Sequence, residues 1–332
     1  MIIKDVMPSF ELYQPKTVAD AVALAGQHGK DAWKIAGGND SLDWFKDRIK
    51  RPKVVIDLTG IDEMKGVRET ADGVEIGALT TLTELSTNPI VRGKYRLLAD
   101  AASRVASPQI RNSGTVGGNV SQDARCWYYR YGLPCYRAGG NTCFSDTPTG
   151  MNREHALFNA DRCVAVSPSD TAPAMVALEA KMVIHNASGE KVVDADKYFI
   201  GPSVDITHLN ILQPGDVLTA IRLPKTWAGA KFYFEKATDR NAWDFPLVNV
   251  AAALKVGADG KVEDARVVVN GVAATPYRVH AAEDAVKGQK VDAAVAKVAG
   301  EVSTRGYHTL NYNHFKVPLM QNLVMRAVRD AA

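Results

Sequence analysis

All four cysteines of this 332-residue chain, Cys126, Cys135, Cys143 and Cys163, lie within one short segment. A cluster of thiols suits metal binding or redox chemistry, because a reducing cytosol does not sustain disulfides. The plainer alternative is four small buried hydrophobes, although unrelated core thiols would be expected to scatter. A second set of candidates is a pair of glycine turns, Ala36-Gly37-Gly38-Asn39-Asp40-Ser41 and Thr115-Val116-Gly117-Gly118-Asn119. Glycine lets backbone N–H groups turn outward and approach an anion closely, as a diphosphate requires. Asn39, Ser41, Thr115 and Asn119 can add side-chain hydrogen bonds. Either motif alone reads more simply as a tight turn. Together they suggest one extended dinucleotide held between two subdomains. Neither the dinucleotide fingerprint G-x-G-x-x-G nor the phosphate loop G-x-x-x-x-G-K-[ST] accompanies the first strand, so neither of those nucleotide sites is supported. No nucleophile elbow supports hydrolytic Ser-His-Asp chemistry.

The elements that position these residues follow from periodicity. Val18–Gln27 has helical apolar spacing, and Trp33–Ala36 reads as a short buried strand ending in Gly37-Gly38. Val54–Leu58 and Val74–Ile76 read as strands, Thr83 opens a helix, and Tyr95–Ala106 is apolar at helical spacing. From Gln122 to Ser167 no period is sustained, and a long irregular stretch inside a compact protein is normally functional or disordered. Trp127, Tyr128, Tyr129 and Tyr131 argue against disorder there. Regular structure resumes with a helix at Thr171–Glu179 and strands at Lys181–His185 and Asp216–Leu223. Beyond Trp227 the character changes. Strands at Lys231–Glu235, Pro246–Val256 and Ala265–Asn270 precede helices at Arg278–Lys287, Asp292–Ser303 and Val317–Arg329, the pattern of a separate α+β domain.

Composition narrows the class. Hydrophobic residues make up 46% and charged residues 23%, as in ordinary globular domains, and the length favours two domains or more. The net charge of +3 carries no basic stripe of the kind nucleic-acid binding needs. The opening MIIKDVMPSFELYQP lacks a signal-peptide apolar run, and no later stretch could span a bilayer, so a cytoplasmic protein is expected.

The segments IAGGNDSLD and RNSGTVGGN resemble the paired FAD-diphosphate loops of the flavoprotein (medium) subunit in the xanthine dehydrogenase and carbon monoxide dehydrogenase family of molybdenum hydroxylases. The resemblance continues through SPSDTAPAMVALEA, GDVLTAIRLP and FEKATDRNAWDFPLVNVAAAL, so it covers essentially the whole chain. It implies an α+β protein. A two-subdomain FAD-binding domain of the PCMH/vanillyl-alcohol-oxidase type would span 1–227, split near residue 60, and a C-terminal α+β domain of the CO dehydrogenase flavoprotein type would span 228–332. By the same resemblance Ile35, Ala36, Gly37, Gly38, Asn39, Asp40, Ser41, Thr115, Gly117, Gly118, Asn119, Asp170, Leu218 and Lys236 belong to the FAD site, with Trp243 and Asp244 near the flavin ring or at a hinge.

Residues 121–166 stand where most of that family runs almost directly from the second glycine turn to the aspartate. This insertion resembles the one in the β subunit of 4-hydroxybenzoyl-CoA reductase and in the FAD subunits of aldehyde oxidoreductases, which implies a [4Fe–4S] cluster on Cys126, Cys135, Cys143 and Cys163. Arg125, Arg130, Arg137 and Arg162 would offset its negative charge, or would simply be solvated; His155 is either a ligand or a neighbour of the ligands. Zinc is the rival metal, but its structural sites favour close C-x-x-C pairs, which are absent. The cysteines are too few for two [2Fe–2S] clusters and the chain too short for a molybdopterin-binding subunit. The resemblance therefore implies partnership with a molybdopterin-binding large subunit and a [2Fe–2S] small subunit in a dimer of heterotrimers, passing electrons to or from an external carrier. An aromatic acyl-CoA or an aldehyde is the implied substrate. A self-sufficient flavin oxidase remains the alternative.

Overall fold

Three sheets carry the chain, and the cofactor candidates sit where they meet. The structure, a computed structural model, describes residues 6–331; the first five residues of the opening stretch read above, and Ala332, lie outside it. Strands β1 (Glu11–Tyr13), β2 (Ala32–Ile35) and β3 (Val54–Asp57) form a parallel sheet in the order β1-β3-β2. Central β3 is buried at Val54, Val55 and Ile56, the continuous apolar run expected of a strand covered on both faces. The crossover from β1 to β2 is the helix Val18–His28. Thr17 caps its first turn by accepting from the Asp20 N–H, and Ala21 and Ala25 form its buried stripe.

The second sheet is antiparallel. It contains β4 (Val67–Thr70), β5 (Gly73–Gly77), β6 (Lys181–Asn186), β7 (Gly189–Asp194) and β8 (Val217–Pro224), in the order β4-β5-β8-β6-β7. The second glycine turn and the cysteine insert lie in the long excursion between β5 and β6. That excursion begins with the helix Leu82–Thr87, where Thr81 and Glu84 form a reciprocal capping box. The segment Tyr95–Ala106, apolar at helical spacing, is helical only over Arg96–Ser103, because Ala106 turns away with φ +39°. Within 122–167 regular structure is limited to one helical turn at Trp127–Arg130 and a tighter turn at Tyr136–Ala138. What holds this stretch is packing. Tyr129 is buried edge-on against Trp44, in a small core with Phe45, Val55, Cys135 and Ala165.

Strands β9 (Lys231–Ala237), β10 (Val248–Val256), β11 (Val262–Asn270) and β12 (Tyr277–Arg278) form the third sheet, antiparallel in the order β12-β11-β10-β9. The helices His280–Val286, Ala293–Val302 and Lys316–Ala331 cover one face. The burial of central β10 explains its largely apolar sequence. Ala251 and Ala253 join the core of the N-terminal half, whereas Val248, Val250, Ala252 and Leu254 join the core beneath the C-terminal helices. A strand with a core on each face has no polar side to display. β4, β7 and the helices Pro108–Ser113 and Val116–Ser121 were not evident in the sequence: β4 and β7 are largely exposed, and the two helices are one and a half turns long. The described residues include no helix long and apolar enough to cross a membrane.

Leu254 is wholly buried in the C-terminal core. Leu254→Ala is expected to cost about 2–5 kcal/mol, read from urea unfolding; a loss below about 1 kcal/mol would contradict this packing.

Candidate functional site

At the end of β2 the chain reverses through Gly37 and Gly38, the latter in the left-handed region at φ +76°, and enters the short helix Ser41–Lys46. Position 37 has no room for a side chain, since a Cβ there would lie 2.1 Å from the Ser113 carbonyl oxygen. Absence of that atom lets the first turn press backbone to backbone against the approach to the second. Asn39 fastens the contact by donating from Nδ2 to Ser113 Oγ at 3.2 Å and to the Ile110 carbonyl at 3.4 Å. The backbone N–H groups of Gly37, Gly38, Asn39, Asp40 and Ser41 find no acceptor among the described residues. Successive free N–H groups in a tight turn make an anion-binding concavity. Ile35 and Ala36 support it from below, half-buried, and Ser41 Oγ accepts from Trp33 Nε1 at 2.9 Å, which leaves its own proton free to donate.

The second turn is built differently from the open cradle its sequence suggests. It is the first turn of the helix Val116–Ser121, and its N–H groups are already used. Val116 donates to Thr80 O (2.9 Å), Gly117 to Ala78 O (2.8 Å) and Gly118 to the capping hydroxyl of Thr115 (3.1 Å). Glycine at 117 serves close packing, because a Cβ would lie 2.8 Å from Ala78. The helix rests on β8, the strand of buried Leu218. Asn119 Oδ1 accepts from both Ser169 and Thr171 hydroxyls at 2.7 Å, tying this turn to the segment of Asp170.

Asp170 and Lys236, far apart in sequence, meet as a buried ion pair with Nζ···Oδ2 at 2.6 Å. Asn249 Nδ2 donates to the other carboxylate oxygen at 2.9 Å, and Lys236 also donates to the carbonyls of Asp244 (2.7 Å) and Arg104 (3.1 Å). Burial pushes the Asp170 carboxyl up, to about 6, against the pull of Lys236. The pair joins the N-terminal half to the third sheet. Next to it, Asn270, paired with Asn249 in the β10–β11 register, donates to the Ser167 and Ser169 carbonyls. The loop carrying Trp243 and Asp244 returns to the same place through Trp243 N–H to Ala106 O at 2.9 Å, and with Arg104, Lys236 and Arg240 it lines a surface hollow. Trp243 is exposed there and held at φ +58°. Asn249 went unremarked in the sequence, though a lone amide in the run VNVAAAL was the available signal.

The carboxylate of Asp40 points away from the free N–H groups and into the insert. Arg125 Nη1 donates to Oδ1 at 2.9 Å and Arg130 Nη2 at 2.5 Å, while the Asp123 N–H and Trp44 Nε1 reach Oδ2. The Arg130 guanidinium lies 3.6 Å from the centre of the Trp44 ring. Arg137 and Asp123 make a second pair; burial raises the Asp123 carboxyl, but Arg137 and Lys50 outweigh it and hold it below its usual range. Arg125, Arg130 and Arg137 are thus not a solvated surface. Arg162 differs, exposed and 3.8 Å from Asp161.

Cys126, Cys135, Cys143 and Cys163 all line one hollow, together with Tyr136 and Arg137. None is in a disulfide. Burial pushes the free thiols of Cys126 and Cys163 up, the latter to about 11. Among the described residues no three His, Cys, Asp or Glu side chains close around a single metal ion. His155 is not one of the residues lining the hollow; it is buried behind it, with Nε2 3.0 Å from Ser145 Oγ, and Ser145 Oγ lies 3.3 Å from Cys126 Sγ.

Residues 8–226 match the FAD-binding domain of molybdopterin dehydrogenase, and residues 232–331 match the CO dehydrogenase flavoprotein C-terminal domain. The chain is an FAD-binding medium subunit of the molybdenum hydroxylase family. This medium subunit is 35% identical to the FAD-binding subunit of the Escherichia coli aldehyde oxidoreductase, over 83% of this chain and 86% of that one. It is 29% identical to the carbon monoxide dehydrogenase medium chain of Hydrogenophaga pseudoflava, over 90% and 87%. Among solved structures, the H. pseudoflava carbon monoxide dehydrogenase lacking the Mo-pyranopterin moiety superposes with a TM-score of 0.78 at 28% identity, covering 98% of both chains. The medium subunit is accordingly one part of a multi-subunit oxidoreductase.

Two outcomes follow from this geometry. Replacing Arg125 and Arg130 together by Met leaves the Asp40 carboxylate uncompensated beside the free N–H groups and should weaken FAD binding about tenfold or more, about 1.4 kcal/mol; adding Asp40→Asn should restore it. Flavin fluorescence titration reads both, and absence of rescue would contradict the electrostatic role. Asp170→Asn should cost about 3–5 kcal/mol by stranding a buried ammonium, and Lys236→Met on top should recover most of that loss in urea unfolding.

Proposed function

We propose that this medium subunit carries FAD and a [4Fe–4S] cluster and passes electrons between molybdenum- and [2Fe–2S]-bearing partner subunits and an external carrier. The observation that carries this reading is the convergence of four cysteines, spread over the irregular insert, on one hollow. Structural zinc sites favour close C-x-x-C pairs, which the chain lacks. Four cysteines converging on one hollow suit a polynuclear cluster, for which cysteine thiolates are the usual ligands. Arg137, almost fully buried beside the hollow, supplies positive charge where such a cluster would be negative. Four free thiols accord with the reducing cytoplasm.

The free N–H groups of Gly37 to Ser41 would receive the FAD diphosphate, and Ser41 can add a hydroxyl donor. The second turn, braced on Ala78 and Thr80, would define the opposite wall. Asp170, Lys236 and Asn249 hold the third sheet against that wall and so fix the cleft in which the cofactor lies. When bound, FAD exchanges two electrons and can pass them on singly, while the protein sets its position and potential. The Asp40–Arg125–Arg130 contact joins the diphosphate turn to the cysteine insert, which keeps the two cofactor sites in one rigid frame. Substrate would react at molybdenum in the large partner subunit, within a dimer of heterotrimers. The similarity to an aldehyde oxidoreductase subunit favours an aldehyde.

Anaerobic purification followed by iron, sulfide, zinc and flavin analysis tests the reading. One FAD with about four irons and four sulfides per chain is expected. Zinc, or FAD without metal, would remove the cluster; substrate turnover by the isolated subunit would favour a self-standing flavin oxidase.

A further inference from the structure

The four thiols of the hollow are not equivalent. Among the described residues, a side-chain hydroxyl reaches only Cys126, where Ser145 Oγ lies 3.3 Å from Sγ. Ser145 is 1% exposed and fixed from several directions. Its carbonyl accepts from Asn152 Nδ2 at 3.0 Å, and its hydroxyl faces His155 Nε2 at 3.0 Å. His155 is in turn immobilised. Its carbonyl accepts from Lys316 Nζ at 3.1 Å, at the start of the long C-terminal helix, and from Asn313 Nδ2 at 3.2 Å, just before it.

The direction of the hydrogen bonds follows from one unpartnered atom. His155 Nδ1 is buried and has no partner among the described residues. An imidazolium, or the tautomer protonated at Nδ1, would bury an N–H with no acceptor, whereas the Nε2–H tautomer leaves only a lone pair there. Burial also keeps the ring neutral, holding its pKa near 4. With the proton on Nε2, His155 donates to Ser145 Oγ. The Ser145 hydroxyl proton is then directed at its other neighbour, the sulfur of Cys126.

We propose that Ser145 is a positioning residue for the cluster: its hydroxyl, oriented by His155, donates to the Cys126 thiolate, holds that ligand in place and raises the cluster's reduction potential. The inference rests on the [4Fe–4S] reading above. A hydrogen bond to a ligand sulfur stabilises the more negative, reduced state, and such outer contacts tune cluster potentials and ligand orientation. The contact also links the cluster to the C-terminal domain through Lys316 and Asn313, so that two parts of the chain share in setting one ligand.

The test compares Ser145→Ala, Ser145→Val and Ser145→Thr in the anaerobically purified protein. Threonine and valine have nearly the same shape and differ in the hydroxyl, so any overpacking is common to both. Iron content and the EPR-monitored midpoint potential of the cluster are measured, with the flavin absorbance as internal control. The expected result is a more negative cluster potential in the Ala and Val variants than in wild type and Thr, with the flavin unchanged. Loss of iron from Ala and Val but not from Thr would equally support the hydroxyl's role in holding Cys126. Equal potentials in all four proteins, or equal loss of iron from all three variants, would assign Ser145 to packing and overturn the inference. Failure of the cluster reading itself is separate, because it appears as wild-type protein without iron.

Discussion

The bond of Asp40 to the insert arginines constrains everything around it. Asp40 sits inside a turn whose backbone N–H groups, over five residues in a row, are left without acceptors among the described residues. A free carboxylate there would repel any anion the turn could bind. Arg125 and Arg130 remove that repulsion and draw the carboxylate away, and in doing so they anchor the segment that carries the cysteines. Charge compensation at one site therefore gives position to another. The Arg130 guanidinium over the Trp44 ring, and the edge-on contact of Trp44 with Tyr129, extend the contact into a small core that holds an otherwise irregular stretch.

The opposite wall depends on a different kind of interaction. Asp170 and Lys236 are buried with every polar hydrogen and both carboxylate oxygens engaged, which is the condition under which a buried ion pair can specify a geometry without a large penalty. Their contact orients the third sheet relative to the second. It works together with the two-sided burial of β10, whose alternate residues feed separate cores. Hydrophobic packing joins the domains, and the ion pair fixes how they are joined.

Much of this was legible in the residues. The buried strands β3 and β10 announced themselves as apolar runs, the helices of the C-terminal domain lie within a few residues of their periodic patterns, and the change of character beyond Trp227 falls between the two matched family segments. Asp170 and Lys236 came from the resemblance, and the structure brings them together. What escaped was interaction between distant residues. Nothing local distinguishes Asp40 as the partner of Arg125 and Arg130, about ninety residues away, from one more acid in a turn. The second glycine motif looked like a twin of the first because both spell Gly-Gly-Asn, yet Thr115 caps a helix there and Ala78 and Thr80 take its N–H groups. Exposed strands such as β7 have no apolar face to read. Ser145 had no signal at all, because its significance arises only from the sulfur and imidazole beside it.

The most direct single measurement is a crystal structure of the anaerobically purified subunit with anomalous scattering recorded at the iron edge. The account predicts an iron peak in the hollow bounded by Cys126, Cys135, Cys143 and Cys163, and diphosphate oxygens within hydrogen-bonding reach of the Gly37 to Ser41 N–H groups. Zinc or no metal in that hollow, or a diphosphate bound away from the first glycine turn, would contradict it.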